Sequence, residues 1–347
     1  MQRTFCFLRQ TMTNFMKRFN NLFFAAFLLL LVTNLAYAQD KQDDVIKVDS
    51  SIVRLNVGVV NRSGTPIKNL SKDDFVLYED GVRQNITRFE PTVAPFSVVM
   101  ILDMSGSTLG FRQTIQTSAF RFIDALSPED RVSIIEFYDK VNVLNDFTTQ
   151  RKVLAHSINV ANGRGRTRLY KALDTSLKKL AKEKNRRKAI IVLTDGVDSE
   201  IRNQDRRFLS KLADKDMPNS IKPETNSILN SILGKADAMG ATIYPLVLPT
   251  GDPKKLADPL PIQIEMFTVA RNRLKILAQR TGGTLNAINR LEEMGKLYAQ
   301  VAADVRSLYT IEYQPQNDKR DGKWRKIQIK VNKSELISRT RPGYFAK

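Results

Sequence analysis

The sequence predicts an α/β protein: a doubly wound, mostly parallel six-stranded sheet with helices on both faces, inserted in a small β-domain built from the N- and C-terminal segments. Three observations predict it. Between Pro95 and Arg306, continuous apolar runs alternate with amphipathic helical stretches, the pattern of a parallel sheet covered on both faces. On either side of that region apolar residues recur at every second position, as in half-buried strands. Neither flank is large enough to bury a core alone, so the two flanks are expected to combine.

Residues 1–38 read as a signal peptide. Lys17 and Arg18 precede the apolar stretch Leu22 to Ala36, and Ala36-Tyr37-Ala38 offers a small-residue cleavage site. The stretch is shorter than the ~20 residues of a membrane span, and Asn34 interrupts it. Cleavage after Ala38 is therefore expected, with no transmembrane span in the mature chain and a periplasmic or secreted product. An uncleaved anchor is the alternative. Residues 39–50 are polar and read as a leader to the N-terminal β segment, 39–95.

In that segment Val53, Leu55, Val57 and Val59 share one strand face, and Phe75 and Leu77 another. Asp80-Gly81 suits a tight hairpin turn, because Gly accepts positive φ. Residues 51–90 thus predict three antiparallel strands. The α/β region, 96–306, predicts strands near 97–103, 132–138, 141–145, 189–194, 242–248 and 283–287. Its helices fall near 109–125, 151–160, 168–183, 226–239, 265–280 and 290–306. Only a hairpin fits between 138 and 141, so one edge strand should run antiparallel. Pro245 inside "ATIYPLVL" weakens that strand unless it lies at a bulge or a strand end. In the C-terminal segment, 307–347, Tyr309, Ile311 and Tyr313 alternate, as do Ile327, Ile329 and Val331. "QNDKRDGKW" reads as the hairpin loop between those two strands.

Composition narrows the chemistry. The one cysteine, Cys6, lies in the leader, which excludes a disulfide framework and thiol catalysis in the mature chain. The one histidine, His156, reads as a surface helix residue. Loss of Arg3, Arg9, Lys17 and Arg18 with the leader lowers the formal net charge from +19 to +15. A basic exported protein faces anionic envelope polymers, phospholipid headgroups or acidic proteins, and export argues against nucleic acid.

The chemistry-bearing residues lie where apolar strands end. "VVMILDMSGSTLG" closes a strand on Asp103, and Ser105 and Ser107 follow at alternate positions. "IIVLTDG" closes a second strand on Asp195, and "NGRGRTRLYKAL" opens a helix at Thr167. Ligands of open α/β sheets bind beyond the carboxyl ends of the strands. Two carboxylates and three hydroxyls on that rim make an all-oxygen site for a hard divalent cation, Mg²⁺ first, with Mn²⁺ or Ca²⁺ as alternatives. "GRGRTR" lacks the ending of a phosphate-binding P-loop.

These residues resemble the metal-ion-dependent adhesion site of a von Willebrand factor type A domain. Asp103, Ser105 and Ser107 match its D-x-S-x-S motif, Thr167 its threonine and Asp195 its second aspartate. The resemblance covers residues 96–306. It implies a Rossmann-like sheet, hydroxyls that bind the metal directly, aspartates that act largely through water, and one coordination position left for a partner's carboxylate. The flanks "LSKDDFVLYEDGVRQNITRFE" and "WRKIQIKVNKSELISRTRPGYF" resemble a group of exported bacterial proteins built around such a domain. Arg164, Arg166 and Arg168 surround Thr167 where the family more often has small residues. A guanidinium facing the metal would favour an acidic ligand by bidentate pairing, which makes these three candidate partner-binding residues. Two long segments, Asp198–Asn226 and Pro249–Phe267, read as loops bordering the same rim.

The expected function is a non-catalytic, metal-dependent adhesion or assembly module that binds a protein partner presenting Asp or Glu. One alternative is a metal-dependent hydrolase, which would want a general base that neither His156 nor a motif glutamate supplies. The other is a structural envelope protein whose metal only stabilises the fold.

Overall fold

The computed structural model describes residues 52–92, 94–184, 186–248, 252–253, 257–288 and 294–346. The signal peptide, the polar leader and the expected helix start near Arg290 lie outside them.

The N-terminal segment forms four strands: β1 (Val53–Asn61), β2 (Phe75–Glu79), β3 (Val82–Gln84) and β4 (Ile86–Glu90). The sequence predicted three. Asp80 (φ 48°) and Gly81 (φ 83°) both take left-handed conformations and make the β2–β3 hairpin as tight as expected. The α/β region follows with β5 (Phe96–Asp103), β6 (Arg131–Phe137), β7 (Val141–Val143), β8 (Arg187–Thr194), β9 (Ala241–Val247) and β10 (Asn286–Ala287). Their order is β10-β9-β8-β5-β6-β7, parallel throughout except for the β6–β7 hairpin at one edge.

Every residue of β5, β8 and β9 is buried, because helices cover both faces. On one face lie α1 (Arg112–Ala125), α2 (Arg151–Val160) and α7 (Met294–Val305). On the other lie α3 (Leu169–Ala181), α4 (Ser199–Leu209), α5 (Ser227–Met239) and α6 (Pro261–Thr281). His156 is exposed on α2, as its setting in the sequence suggested. No described helix is long and apolar enough to cross a membrane.

Pro245 sits within β9, and the ladder explains how it is tolerated. The amide of Ile243, two residues earlier, points away from β8 and donates to Thr281 Oγ1. Pro245 shares that side, and β10 pairs only from Leu246 onward. The missing N–H therefore faces a position with no strand to receive it.

The C-terminal segment adds β11 (Leu308–Tyr313), β12 (Trp324–Val331), β13 (Leu336–Arg339) and β14 (Gly343–Phe345). The two ends of the chain build two four-stranded sheets, β13-β1-β11-β4 and β14-β12-β2-β3. Leu55 pairs with Ile311 across β1 and β11, and Leu77 with Ile329 across β2 and β12. Between the sheets, Leu55, Val57, Phe75, Leu77, Tyr309 and Ile327 belong to one core. The hairpin expected between β11 and β12 is not formed. The two strands lie in different sheets, and the connection from 314 to 323 spans the roughly 10 Å between packed sheets.

The β-sandwich sits at the amino-terminal ends of the parallel strands. Asn56 Nδ2 donates to Gly240 O and Thr242 Oγ1, both at 2.9 Å. Arg187, the first residue of β8, donates to the carbonyls of Thr92, Ala94 and Leu308, where the chain enters and leaves the α/β region. The opposite, carboxyl-terminal rim is left free for a site.

Candidate metal centre

The strand order reverses beside β5: the first crossover leads to β6 on one side, and a later one to β8 on the other. Such a switch point leaves a crevice beyond the strand ends. Asp103 ends β5 at this crevice, and Asp195 directly follows β8.

The motif after β5 is folded around the Asp103 side chain. Its Oδ1 accepts from the Ser105 amide at 3.0 Å, and its Oδ2 accepts from the Thr194 hydroxyl at 2.9 Å. The chain then enters a short 3₁₀ turn, Gly106–Phe111, pinned by the Thr108 hydroxyl, which donates to the carbonyls of Asp103 and Ser105. This turn brings the two serine hydroxyls to 3.2 Å from each other. Ser107 Oγ donates to Asp195 Oδ2 at 2.8 Å, and Asp195 Oδ1 accepts from the Val197 amide at 3.0 Å. Asp103, Ser105, Ser107 and Asp195 therefore form one continuous polar chain.

Thr167 reaches the same place from the loop before α3. Gly106 N donates to Gly165 O at 3.1 Å and ties that loop to the serine turn. Arg112 fastens both, donating to the carbonyls of Met104 and Gly163 and to Asn162 Oδ1. Thr167 is held by a reciprocal pair: its amide donates to Ser199 Oγ, and the Ser199 amide donates to its carbonyl, each at 2.9 Å. Thr167, Ser107 and Asp195 line one cleft, with Asp103 and Ser105 fully buried beneath it.

The glycines of this loop serve close packing. A Cβ on Gly163 would enter the Tyr138 ring, and one on Gly165 would strike the Asp139 carboxylate, which accepts from the Arg166 amide at 2.9 Å. Gly165 also has φ +96°. Gly165→Ala is expected to destabilise the protein by about 1–3 kcal/mol, read as a fall in thermal midpoint. An unchanged midpoint would mean that the loop shifts freely.

Arg164, Arg166 and Arg168 are all exposed. Arg166 lines the cleft beside Thr167, Arg168 lines an adjoining polar hollow, and Arg164 is not among the residues lining either. The segment Asp198–Asn226, expected as a loop, contains α4. Asp198 caps it, accepting from the amides of Glu200 and Ile201. Its buried stripe is Ile201, Asp205 and Leu209, and the acidic residue in the middle masks the apolar period. The loop Pro249–Phe267 is likewise shorter than expected, because α6 starts at Pro261. Thr194 and Arg112 were not singled out from the sequence. Thr194 could have been found as the polar residue ending an apolar strand; Arg112 works only through acceptors brought together by folding.

Among the described residues there is no group of three or more His, Cys, Asp or Glu side chains able to hold a metal. A cation here would depend on two carboxylates and hydroxyls. The only described hydrogen-bond donors to these carboxylates are neutral hydroxyls and amides. Burial, and then the charge of Asp195, push the Asp103 pKa above the ordinary carboxylate range. The rim thus gathers two carboxylates and three hydroxyls with no cation hydrogen-bonded to the carboxylates among the described residues, a donor set that fits a hard divalent cation.

The doubly wound sheet and its rim make this an α/β domain with a candidate cation site at the carboxyl ends of its strands. Residues 98–197 match the family model of the von Willebrand factor type A domain. All five rim residues lie within the matched segment. Comparison with curated proteins gave no match. Solved structures similar to the chain include the von Willebrand factor domain of the type V pili tip protein Mfa5 from Porphyromonas gingivalis, 14% identical, covering 60% of this chain and 94% of that one, with a TM-score of 0.46. The pilus adhesin SpaC from Lactobacillus rhamnosus GG, in an open conformation, is 11% identical, over 80% of this chain and 48% of that one, with a TM-score of 0.45. Proximal thread matrix protein 1 from the mussel byssus, with a zinc-occupied MIDAS motif, is 14% identical, over 64% and 48%, with a TM-score of 0.43.

Proposed function

We propose that this chain is an exported, non-catalytic protein-binding module. It would hold a divalent cation, Mg²⁺ first, through Asp103, Ser105, Ser107, Thr167 and Asp195. The observation that carries the reading is the continuous chain from Asp103 through the two serines to Asp195, at the mouth of a cleft that Thr167 also lines. Bound there, the cation would supply an open position for a carboxylate oxygen of a partner. The protein residues orient that event: Thr194 and the Ser105 amide fix Asp103, while Ser199 fixes the Thr167 backbone. Arg166, exposed on the same rim, favours an acidic partner by its charge. The signal-like leader supports export, and adhesion or assembly in the cell envelope follows from both.

Capture from envelope extract is the test. A partner should be retained by the wild-type protein in Mg²⁺ and released by EDTA. Its affinity should then fall when one particular Asp or Glu of that partner is neutralised. Retention that survives chelation would favour a structural role for the metal. If all the partner's acidic residues can be replaced singly without effect, the carboxylate mechanism fails.

A further inference from the structure

The cleft that opens at Ser107 and Asp195 continues between α4 and α6, with a volume of about 750 Å³. Val197, Ile201, Met266, Phe267 and Ala270 give it apolar walls. Tyr170 and the ion pair of Asp205 with Arg273 also line it. Tyr170 is only 5% exposed, and its hydroxyl has no hydrogen-bond partner among the described residues. Arg273 Nε is unpaired in the same sense, although both terminal nitrogens of that guanidinium hold Asp205. Buried polar atoms of folded proteins almost always find partners. A tyrosine serving only the core would lose nothing as phenylalanine. Unpaired donors in an apolar cleft are the pattern of a ligand pocket, where a few polar groups fix orientation.

The chemistry of an occupant follows. The walls take an apolar body, and the volume is ample for an aromatic ring together with neighbouring groups of the same chain. The tip must accept a hydrogen bond, since Tyr170 and Arg273 Nε can donate. Asp205 and Arg273 neutralise each other, so the cleft offers no net charge to repay the desolvation of a charged tip, and a neutral tip is favoured. Tyrosine meets all these demands with only two side-chain torsions to freeze.

We propose that this cleft is a specificity pocket that takes a tyrosine side chain of the bound partner, close in the partner's chain to the carboxylate held at the rim. This rests on the reading of the rim as an adhesion site. The tyrosine ring packs against Ile201, Met266 and Phe267, and its phenolic oxygen accepts from Tyr170 or Arg273. A partner is then selected by two groups at once, the acid at the rim and the phenol in the cleft.

The test uses p-cresol, the tyrosine side-chain analogue, against toluene, titrated into the mature protein with the Ile201 and Met266 methyl groups followed by NMR. Both compounds should shift these methyls, with p-cresol binding roughly fivefold tighter, as one net hydrogen bond implies. Tyr170→Phe should remove that difference while leaving the thermal midpoint unchanged or raised, because the hydroxyl bonds to nothing described in the protein. Met266→Ala should weaken both compounds and serves if the first variant fails to fold. Equal affinity of the two compounds for the wild-type protein would mean that water alone satisfies Tyr170, and overturns the proposal. So would unmoved methyls, or a lowered midpoint in Tyr170→Phe. The titration is run in EDTA and in Mg²⁺. Binding of p-cresol needs no metal, so its failure condemns the pocket alone. Failure of Mg²⁺ to bind the same sample condemns the rim instead.

Discussion

Mg²⁺ or Mn²⁺ added to the metal-free protein is expected to bind at one site and raise the melting temperature, and Asp103→Asn is expected to abolish both effects. At a free cation concentration a hundred times Kd, a single site stabilises the native state by about 2.7 kcal/mol. In a domain of this size that is a rise on the order of 5–10 °C. The variant is chosen because it separates the fold from the metal. Asp103 is fully buried and faces a second carboxylate, Asp195, with only neutral donors about them. Burying two like charges side by side, with no cation hydrogen-bonded to either among the described residues, costs stability. An amide of the same shape keeps an acceptor for the Ser105 amide and removes one of the charges. In EDTA the variant should therefore melt at or above the wild-type temperature, and in Mg²⁺ below it. This reversal of order is the diagnostic result. Calorimetric binding of Mg²⁺ to Asp103→Asn and Asp195→Ala with wild-type affinity would remove these residues from the site. A variant less stable than wild type in EDTA would assign Asp103 a structural role.

The parts of this protein most legible in the sequence are those with an unbroken period. β5, β8 and β9 are continuous apolar runs because both their faces are covered, and the aspartates at the ends of β5 and β8 marked the rim. The Asp80-Gly81 turn and the antiparallel edge strand β7 were legible from local chemistry. What escaped was set by long-range pairing. β11 and β12 each show clean alternation, but alternation does not say which neighbour a strand takes. α4 escaped because its central buried position is Asp205, whose partner Arg273 lies 68 residues away on α6. Thr194 and Arg112 escaped for the same reason: a polar side chain reads as surface until its partner is known. The cleft between α4 and α6 could not be read at all, since one wall lay in a segment that read as loop.

Asp205→Ala is expected to destabilise the protein by about 3–5 kcal/mol, the cost of leaving one member of a buried ion pair without its partner. Asp205 and Arg273 are both buried, and their bond is bidentate, at 2.5 and 2.8 Å. Nothing else described satisfies the Arg273 terminal nitrogens. The same guanidinium, only 4% exposed and left without its partner, would have shed its solvation without return. The pair itself need not be a large net gain, because both ions lost water to form it. Replacing both, Asp205→Leu with Arg273→Leu, should therefore recover most of the loss. A strong positive coupling between the two sites in a double-mutant cycle is the expected readout of denaturant titration. The single variant carries a second consequence. This pair packs α4 against α6, and α4 begins at Ser199, the residue that holds the Thr167 backbone by two hydrogen bonds. Loosening α4 should thus weaken cation binding although Asp205 coordinates nothing, and the double variant should restore it together with stability. If Asp205→Ala lost stability but kept full metal affinity, Thr167 would be positioned by its own loop, through Gly165 and Asp139, and α4 would serve the cleft alone.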